Sequence, residues 1–271
     1  MLDAYQFVIQ HPEMIRESIS TNLQGEIRRA AEILCQSQLN LALTGAGISV
    51  ESGIPDFRSA GGLWERYDFM EYATISAFRA NPEKVWQMLA EMEDVVRRAK
   101  PNPAHKGLGR LEQIGLLHTV ITQNIDNLHQ EGGSTRVIEY HGNSKTLSCL
   151  WCKRQYGLDE IGDQAPPTCA CGKVLKPDVI FFGEAIPPRT LDESYDLASS
   201  CGSLLVIGTS AQVAPANTIP GVAKKAGASI IEINVEPTLL TSSVTDIFLQ
   251  GRAGKIMAKL VNEVENLMRQ E

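Results

Sequence analysis

The sequence has no excess of positive charge: 25 Lys and Arg stand against 32 Asp and Glu, a net charge of −7. That sign argues against nucleic acid as a direct partner, since phosphate binding needs a basic surface. No long apolar run is present either. The longest charge-free stretch, 197–223, contains Pro215, Pro220, Asn217 and Gln212 among several hydroxyl residues, which is not the make-up of a membrane-spanning helix. Met1-Leu2-Asp3-Ala4 lacks the basic and apolar regions of a secretory leader. A cytoplasmic protein with no membrane partner is therefore expected. There is no internal repeat, low-complexity tract or long linker. With 43% apolar and 21% charged residues, the composition also excludes disorder.

What is present fits a globular α/β chain. At ~150 residues per domain, 271 residues make one large domain or one domain with a lobe. Apolar residues at 3, 4 and 7 spacing over 23–35 predict a helix, followed by a buried strand at 41–44. Asn102-Pro103 reads as N-cap and first helical residue of a helix to about Ile114. Strands are predicted over 117–122, 179–182, 203–207 and 229–235. Helices are predicted over 191–200, 218–226 (with Gly227 at its C-terminus) and 254–268. This alternation predicts a doubly wound parallel sheet with helices on both faces, a Rossmann-like architecture. Two stretches interrupt it: 59–100, which is helical in pattern (82–98 above all), and 149–171, which is polar and turn-rich. They predict a smaller lobe, with a helical module near 59–100 and a second module near 145–176. The sheet domain then comprises about 20–58, 101–144 and 177–271.

Four of the six cysteines are clustered. Cys149-x-x-Cys152 and Cys169-x-Cys171 have the pattern of a zinc ribbon, in which four thiolates close a structural Zn²⁺ site with no position left for catalysis. The second pair is one residue tighter than usual, and Gly172 after it permits a sharp turn. Cys35 and Cys201 lie in apolar surroundings and are expected as inert core residues.

Gly45-Ala46-Gly47 follows a predicted strand, where a doubly wound fold places a dinucleotide. A full fingerprint would need a third glycine where Val50 stands, so the loop alone fits either a nucleotide site or a tight strand-to-helix turn. The next residues, Ser52-Gly53-Ile54-Pro55-Asp56-Phe57-Arg58, read as a cover over a ligand. These blocks together resemble the signature of the sirtuins, the NAD-dependent protein lysine deacylases. The resemblance continues in order through Thr122-Gln123-Asn124-Ile125-Asp126-Asn127-Leu128-His129, His141-Gly142 and the four cysteines. It extends through 176–184, Gly208-Thr209-Ser210 and Ile233-Asn234, and covers roughly 23–262.

The resemblance implies a reaction in which an acyl-lysine amide is joined to NAD, giving free lysine, nicotinamide and O-acyl-ADP-ribose. It implies His141 as general base. Asp126 and the Ile125 backbone hold the nicotinamide carboxamide, Asn124 orders the ribose side, and Gln123 reaches a ribose hydroxyl. From spacing alone, Asn124 and Asp126 fit equally well an Asx-type turn. Gly45, Ala46, Gly47, Gly208, Thr209 and Ser210 are implied at the pyrophosphate, and Asn234 at the adenosine ribose. Phe57 is implied over the nicotinamide site, and Arg58 as an anchor for cover or phosphates. Ile180 and Phe182 line an acyl-lysine tunnel, and Gly183 and Glu184 pair with the substrate backbone. The partners implied are acyl-lysine proteins and peptides.

Relatives that remove succinyl or malonyl groups carry a Tyr-x-x-Arg pair on the small-lobe helix. Leu89 and Met92 stand at the matching positions here, so neutral acyl groups are expected, chiefly acetyl. The alternatives are a preference for long fatty acyl groups and mono-ADP-ribosyl transfer at the same NAD site. A zinc-ribbon binding module without catalysis, or a Rossmann dehydrogenase, fits less well, given His141 and Val50 respectively.

Overall fold

The structure is a computed structural model describing residues 12–56, 63–161 and 166–270. Helix α1 (Pro12–Gln36) leads into β1 (Asn40–Thr44), and a seven-residue 3₁₀ turn, Ala46–Ser52, follows. Four helices come next: α2 (Leu63–Arg66), α3 (Phe69–Tyr72), α4 (Ile75–Ala80) and α5 (Pro82–Arg98). Then come α6 (Pro103–Gln113), β2 (Leu117–Thr122), α7 (Leu128–Glu131) and β3 (Val137–Glu139). Strands β4 (Gly142–Ser148), β5 (Gln155–Gly157) and β6 (Lys176–Val179) precede α8 (Pro188–Ser200) and β7 (Ser203–Ile207). The chain closes with α9 (Ile219–Lys225), β8 (Ser229–Asn234), β9 (Ile247–Gln250) and α10 (Ala253–Met268).

Side-chain alternation explains the layering. Ala42, Val120, Leu205, Ile207, Ile231 and Ile233 point to one face, where α1, α6 and α10 cover them. Leu41, Leu43, Ile121, Leu204, Val206 and Ile230 point to the other, under α8 and α9. Both faces are dry, so the central strands read as continuous apolar runs. The six strands are all parallel, in the order β3-β2-β1-β7-β8-β9. Counted within this sheet alone, that is the 3-2-1-4-5-6 order of dinucleotide-binding folds. Its switch point, the place where ligands sit, falls between β1 and β7.

The cap predicted at Asn102 is built, and a second one stands at Asn81. The Asn102 carboxamide oxygen accepts from Ala104 N at 2.8 Å, and Pro103 takes the first helical position. The Asn81 carboxamide oxygen does the same for α5, accepting from Lys84 N at 3.0 Å.

Three predicted features need correction. The apolar run 179–182 is not a strand of the large sheet. Its strand begins earlier, at Lys176, and pairs antiparallel with β4 in a separate three-stranded sheet ordered β5-β4-β6. Residues 180–182 pass beyond that strand, and Phe182 meets Thr74 in a single parallel bridge. The cysteine segment, polar and turn-rich in sequence and so expected to lack a core, has a small one: Cys149 and Cys169 are buried with Leu147 and Leu175, against Trp86 and Tyr156. Cys201 is buried as expected, and burial pushes its thiol up to about 11, whereas Cys35 is only half-buried. The edge strands β3 and β9, three and four residues long, have no counterpart in the sequence reading. Among the described residues, no helix is long and apolar enough to cross a membrane.

Candidate active site

The C-terminal ends of β1 and β7 are joined backbone to backbone. Gly45 N donates to Ile207 O (3.0 Å), Gly47 N to Gly208 O (2.8 Å) and Gly208 N to Ile233 O (3.0 Å). A Cβ on Gly45 would lie 2.9 Å from Gly208 O, and one on Gly47 would lie 2.8 Å from Gly208 Cα. Gly208 itself has φ 62°, and a Cβ there would strike Ile48 N. Only glycine permits this contact. The result is a cradle of small residues at the switch point, with Ala46 and Ser210 half-buried in the same two loops. Side chains stitch the neighbouring loops to it. Gln123 Nε2 donates to Thr209 Oγ1 (3.1 Å) and Thr44 O (3.3 Å), and Asn234 Nδ2 donates to Thr209 O (3.0 Å). The fold thus brings Gly45, Ala46, Gly47, Gln123, Gly208, Thr209, Ser210 and Asn234 together. Phe57 and Arg58 lie outside the described residues.

Asn124 and Asp126 converge on Ser49, a residue of the 3₁₀ turn given no role from the sequence. Asn124 Nδ2 donates to Ser49 Oγ (3.2 Å) and to Gly45 O (3.2 Å), and the Ser49 hydroxyl donates to Asp126 Oδ2 (2.6 Å). Leu128 N donates to Asp126 Oδ1 (3.0 Å), so the Asx turn is also real. Behind Ser49 stands His105, fully buried. Its Nδ1 accepts from Asn102 N, so the proton is on Nε2, which faces Ser49 Oγ at 3.4 Å. The donors therefore run one way, from His105 through Ser49 to Asp126. The signal available in the sequence was the position of His105 three residues after an N-cap, where a side chain turns back on the cap.

His129 lies edge-on to His105, ring centroids 4.9 Å apart, with Nε2 on Thr44 Oγ1 at 2.9 Å. Burial draws His105 down to about 4, against the Asp126 carboxylate, and draws His129 to about 3, with His105 adding to the effect. Unfolded, both titrate near 6.5. Above that pH neither state binds a proton and nothing is lost. As pH falls below it, the unfolded chain takes up protons that the folded chain refuses, so stability declines towards pH 4. The urea midpoint is expected to fall between pH 7 and 5 at unchanged metal content; a flat midpoint would contradict this.

His141 stands at the start of β4. Its Nδ1 lies 2.9 Å from Gln123 O. A carbonyl oxygen only accepts, so Nδ1 carries the proton and Nε2 keeps its lone pair. Burial lowers the pKa of the ring, and the bond to Gln123 O opposes this in part. The imidazole is thus neutral at pH 7, as a base must be. Gly142 follows at φ 74°, where a Cβ would collide with Asp178 O. The same packing lets Ile180 N donate to His141 O at 2.8 Å.

Segment 180–184 therefore lies against His141. Ile180 is half-buried and Phe182 is 39% exposed, its ring edge-on to Phe69 at 4.4 Å. The Phe182 backbone is taken up by Ala73 O and Ile75 N (3.0 Å each), so any open edge begins at Gly183. Glu184 closes a turn with its N–H on Phe181 O (3.0 Å), and its carboxylate points inward to Lys176. Ile125 packs half-buried against the cluster of Ile75, Phe78, Val85, Val179 and Phe181.

The four cysteines meet as expected. Their sulfurs all lie within 4.8 Å of one another, with Cys149–Cys171 at 3.6 Å and Cys152–Cys169 at 3.5 Å. A tetrahedral zinc with Zn–S of ~2.3 Å places its sulfurs ~3.8 Å apart, so the set fits that ion. The Cys171 N–H and the Tyr156 hydroxyl hold the Cys169 thiol down to about 6. Bonded to that sulfur, the Cys171 thiol is pushed the other way, to about 12. With one sulfur inclined to ionise and its neighbour to keep its proton, all four would be thiolates together only around a cation.

A parallel sheet with a glycine cradle at its switch point, a neutral histidine beside it and a four-thiolate module define a Rossmann-type nucleotide-binding protein with a metal-ribbon lobe. The chain belongs to the Sir2 family, whose model matches residues 45–215. The NAD-dependent protein deacylase 2 of Pyrobaculum aerophilum is 45% identical over 240 residues, 88% of this chain and 96% of that protein. A crystal structure of a Sir2 homolog–NAD complex matches with TM-score 0.83 and 41% identity, covering 89% of this chain and 94% of that one. The structure of Sir2Af2 bound to a myristoylated histone peptide matches with TM-score 0.78 and 40% identity, covering 91% and 99%.

Proposed function

We propose that this chain removes acyl groups, chiefly acetyl, from protein lysine side chains, consuming NAD and releasing nicotinamide and O-acyl-ADP-ribose. The observation that carries the reading is His141, a neutral imidazole whose Nε2 makes no hydrogen bond among the described residues, bonded through Nδ1 to the same residue, Gln123, that reaches into the glycine cradle. NAD supplies an electrophilic ribose carbon. Gly45, Ala46, Gly47, Gly208, Thr209 and Ser210 surround the pyrophosphate: Gly45, Gly47 and Gly208, whose own N–H groups bond within the cradle, hold the two loops together, and Ala46, Thr209 and Ser210 leave room for it beside them. Asn234 and Gln123 take ribose hydroxyls. Asp126 and Ile125 hold the carboxamide, with Asn124 beside them and Phe57 and Arg58 closing the site. His141 Nε2 accepts the proton of the attacking ribose hydroxyl. Ile180 and Phe182 flank the acyl-lysine, and Gly183 and Glu184 pair with the peptide. Zinc held by Cys149, Cys152, Cys169 and Cys171 has a structural role.

The same reading divides the chain into a nucleotide lobe (about 20–58, 101–144 and 177–271) and a small lobe (about 59–100 and 145–176), with the substrate between them. The two separate sheets support that division. It also places the protein in the cytoplasm, acting on proteins and peptides rather than on nucleic acid or membranes, in keeping with a net charge of −7. Incubation with NAD and an acetyl-lysine peptide tests it: nicotinamide is expected to appear in step with free lysine. Nicotinamide released with no deacylated peptide, and ADP-ribose transferred to protein, would favour ADP-ribosyl transfer instead.

The acyl group is expected to be neutral. On α5, Met88 is buried and Leu89 and Met92 are half-buried. The nearby charges are engaged elsewhere: Glu91 with Arg66, and both Arg97 and Arg98 with Asp94. Among the described residues of α5 a succinyl carboxylate finds no cation, a cost of ~3 kcal/mol or roughly 100-fold in kcat/KM. The check is one peptide carrying acetyl-, succinyl- or myristoyl-lysine, and a succinyl value at or above the acetyl one contradicts it. The apolar side chains on α5 also favour a second reading, acceptance of long fatty acyl groups, for which the myristoyl substrate is the test.

A further inference from the structure

Lys176, at the start of β6, is a charged side chain only 6% exposed. All three of its donor bonds are used: to Pro177 O at 3.1 Å, Val179 O at 2.6 Å and Glu184 Oε2 at 2.9 Å. The ammonium also lies 4.7 Å from the Phe181 ring centroid. Glu184 Oε2 accepts a second donor, Phe181 N, at 2.8 Å. A buried charge is costly unless its protons are matched; here all three ammonium protons are, while the half-buried Glu184 carboxylate keeps some access to solvent. The pair joins the two ends of segment 176–184. Within the span so closed lie the bond from Ile180 N to His141 O and the two Phe182 bonds to Ala73 and Ile75. The ion pair thus sets the path of the segment between the base on one side and the start of α4 on the other.

We propose that Lys176 is a positioning residue for the acyl-peptide: acting through Glu184, it holds 180–184 in the shape that receives the peptide backbone. This rests on the proposed deacylase function and on the placement of the peptide at that segment. It separates peptide binding from NAD binding, because the side-chain bonds of Lys176 among the described residues all lie within 176–184 and none reaches the glycine cradle. An ion pair that served stability alone would leave the KM values of a folded variant unchanged.

The test compares K176M, K176R and E184Q in the full chain with zinc bound. K176M is expected to raise KM for an acetyl-lysine peptide by about tenfold or more, with kcat and KM for NAD within about twofold. Hydrogen exchange at the amides of 180–184 should quicken in the same variant. K176R restores the charge opposite Glu184 and is expected to recover most of the peptide KM. E184Q should raise the same KM, and the double variant K176M/E184Q should be no worse than K176M alone, as expected of two groups acting as one unit. An unchanged peptide KM in folded K176M, a parallel rise in KM for NAD, or additive effects in the double variant would overturn the proposal. Should K176M fail to fold, K176R and E184Q decide: E184Q with normal peptide KM and normal exchange overturns it. If the unaltered protein deacylates no peptide, the function proposed above fails. The exchange comparison then still decides whether Lys176 sets the shape of 180–184, and unchanged exchange overturns that too.

Discussion

Replacement of His141 with alanine is expected to lower kcat by ~10²–10⁴-fold, the range for removal of a general base. NAD binding and the fold should persist. Among the described residues the imidazole contributes one hydrogen bond to the structure, to Gln123 O, while the path of the chain is kept by Tyr140 N on Thr122 O and Ile180 N on His141 O. The cradle is built by other loops. Single-turnover rates and NAD titration of the variant separate the two effects, and near-normal deacetylation would remove the base assignment. The pH profile gives a second check. Because burial lowers the pKa of His141, the acid limb of kcat/KM is expected below pH 6.5, with activity rising as the ring loses its proton.

The second large effect concerns the metal. Cys152→Ser is expected to reduce zinc content from one ion per chain to none and to lower the thermal midpoint sharply. Zinc-finger peptides derive ~10–16 kcal/mol from such a site, and a lobe with so small a core depends on it in the same way. That core is Leu147, Cys149, Cys169 and Leu175, two of its four members being ligands. Activity should fall as well, because Cys149 directly follows β4 and His141 directly precedes it. Metal analysis together with a thermal scan checks this: retained zinc, or an unchanged midpoint, would contradict it.

The parts of the fold legible in the sequence are those buried on both sides. Strands β1, β2 and β7 appear as apolar runs because helices cover both faces, and α5 and α6 are marked by Asn-Pro at their starts. The edge strands β3 and β9 are too short to leave a run. Residues 179–182 are apolar for a different reason: Val179 and Phe181 fill the small cluster with Phe78 and Val85, so their hydrophobicity reflects packing against α4 and α5 and not membership of the parallel sheet. At the site, the candidate residues were legible by resemblance, since the motifs are contiguous. Ser49, His105 and Lys176 were not. Ser49 acts on Asp126, 77 residues further on, and His105 on Ser49, 56 residues back, while the pairing of Lys176 with Glu184 depends on the turn between them, which no regular spacing records.

The register of the two sheets around His141 has one more consequence. Tyr140 still belongs to the large sheet through Thr122 O, and Gly142 already belongs to the small one opposite Val179. His141 is the single residue between them, hydrogen-bonded to Gln123 on one side and Ile180 on the other. The carbonyl and the ring of one residue therefore carry both attachments: Gln123 fixes the imidazole to the end of β2, and Ile180 fixes its backbone to the segment that leaves β6. A change in the path of either neighbour reaches the ring through a single residue, with no loop between them to absorb it.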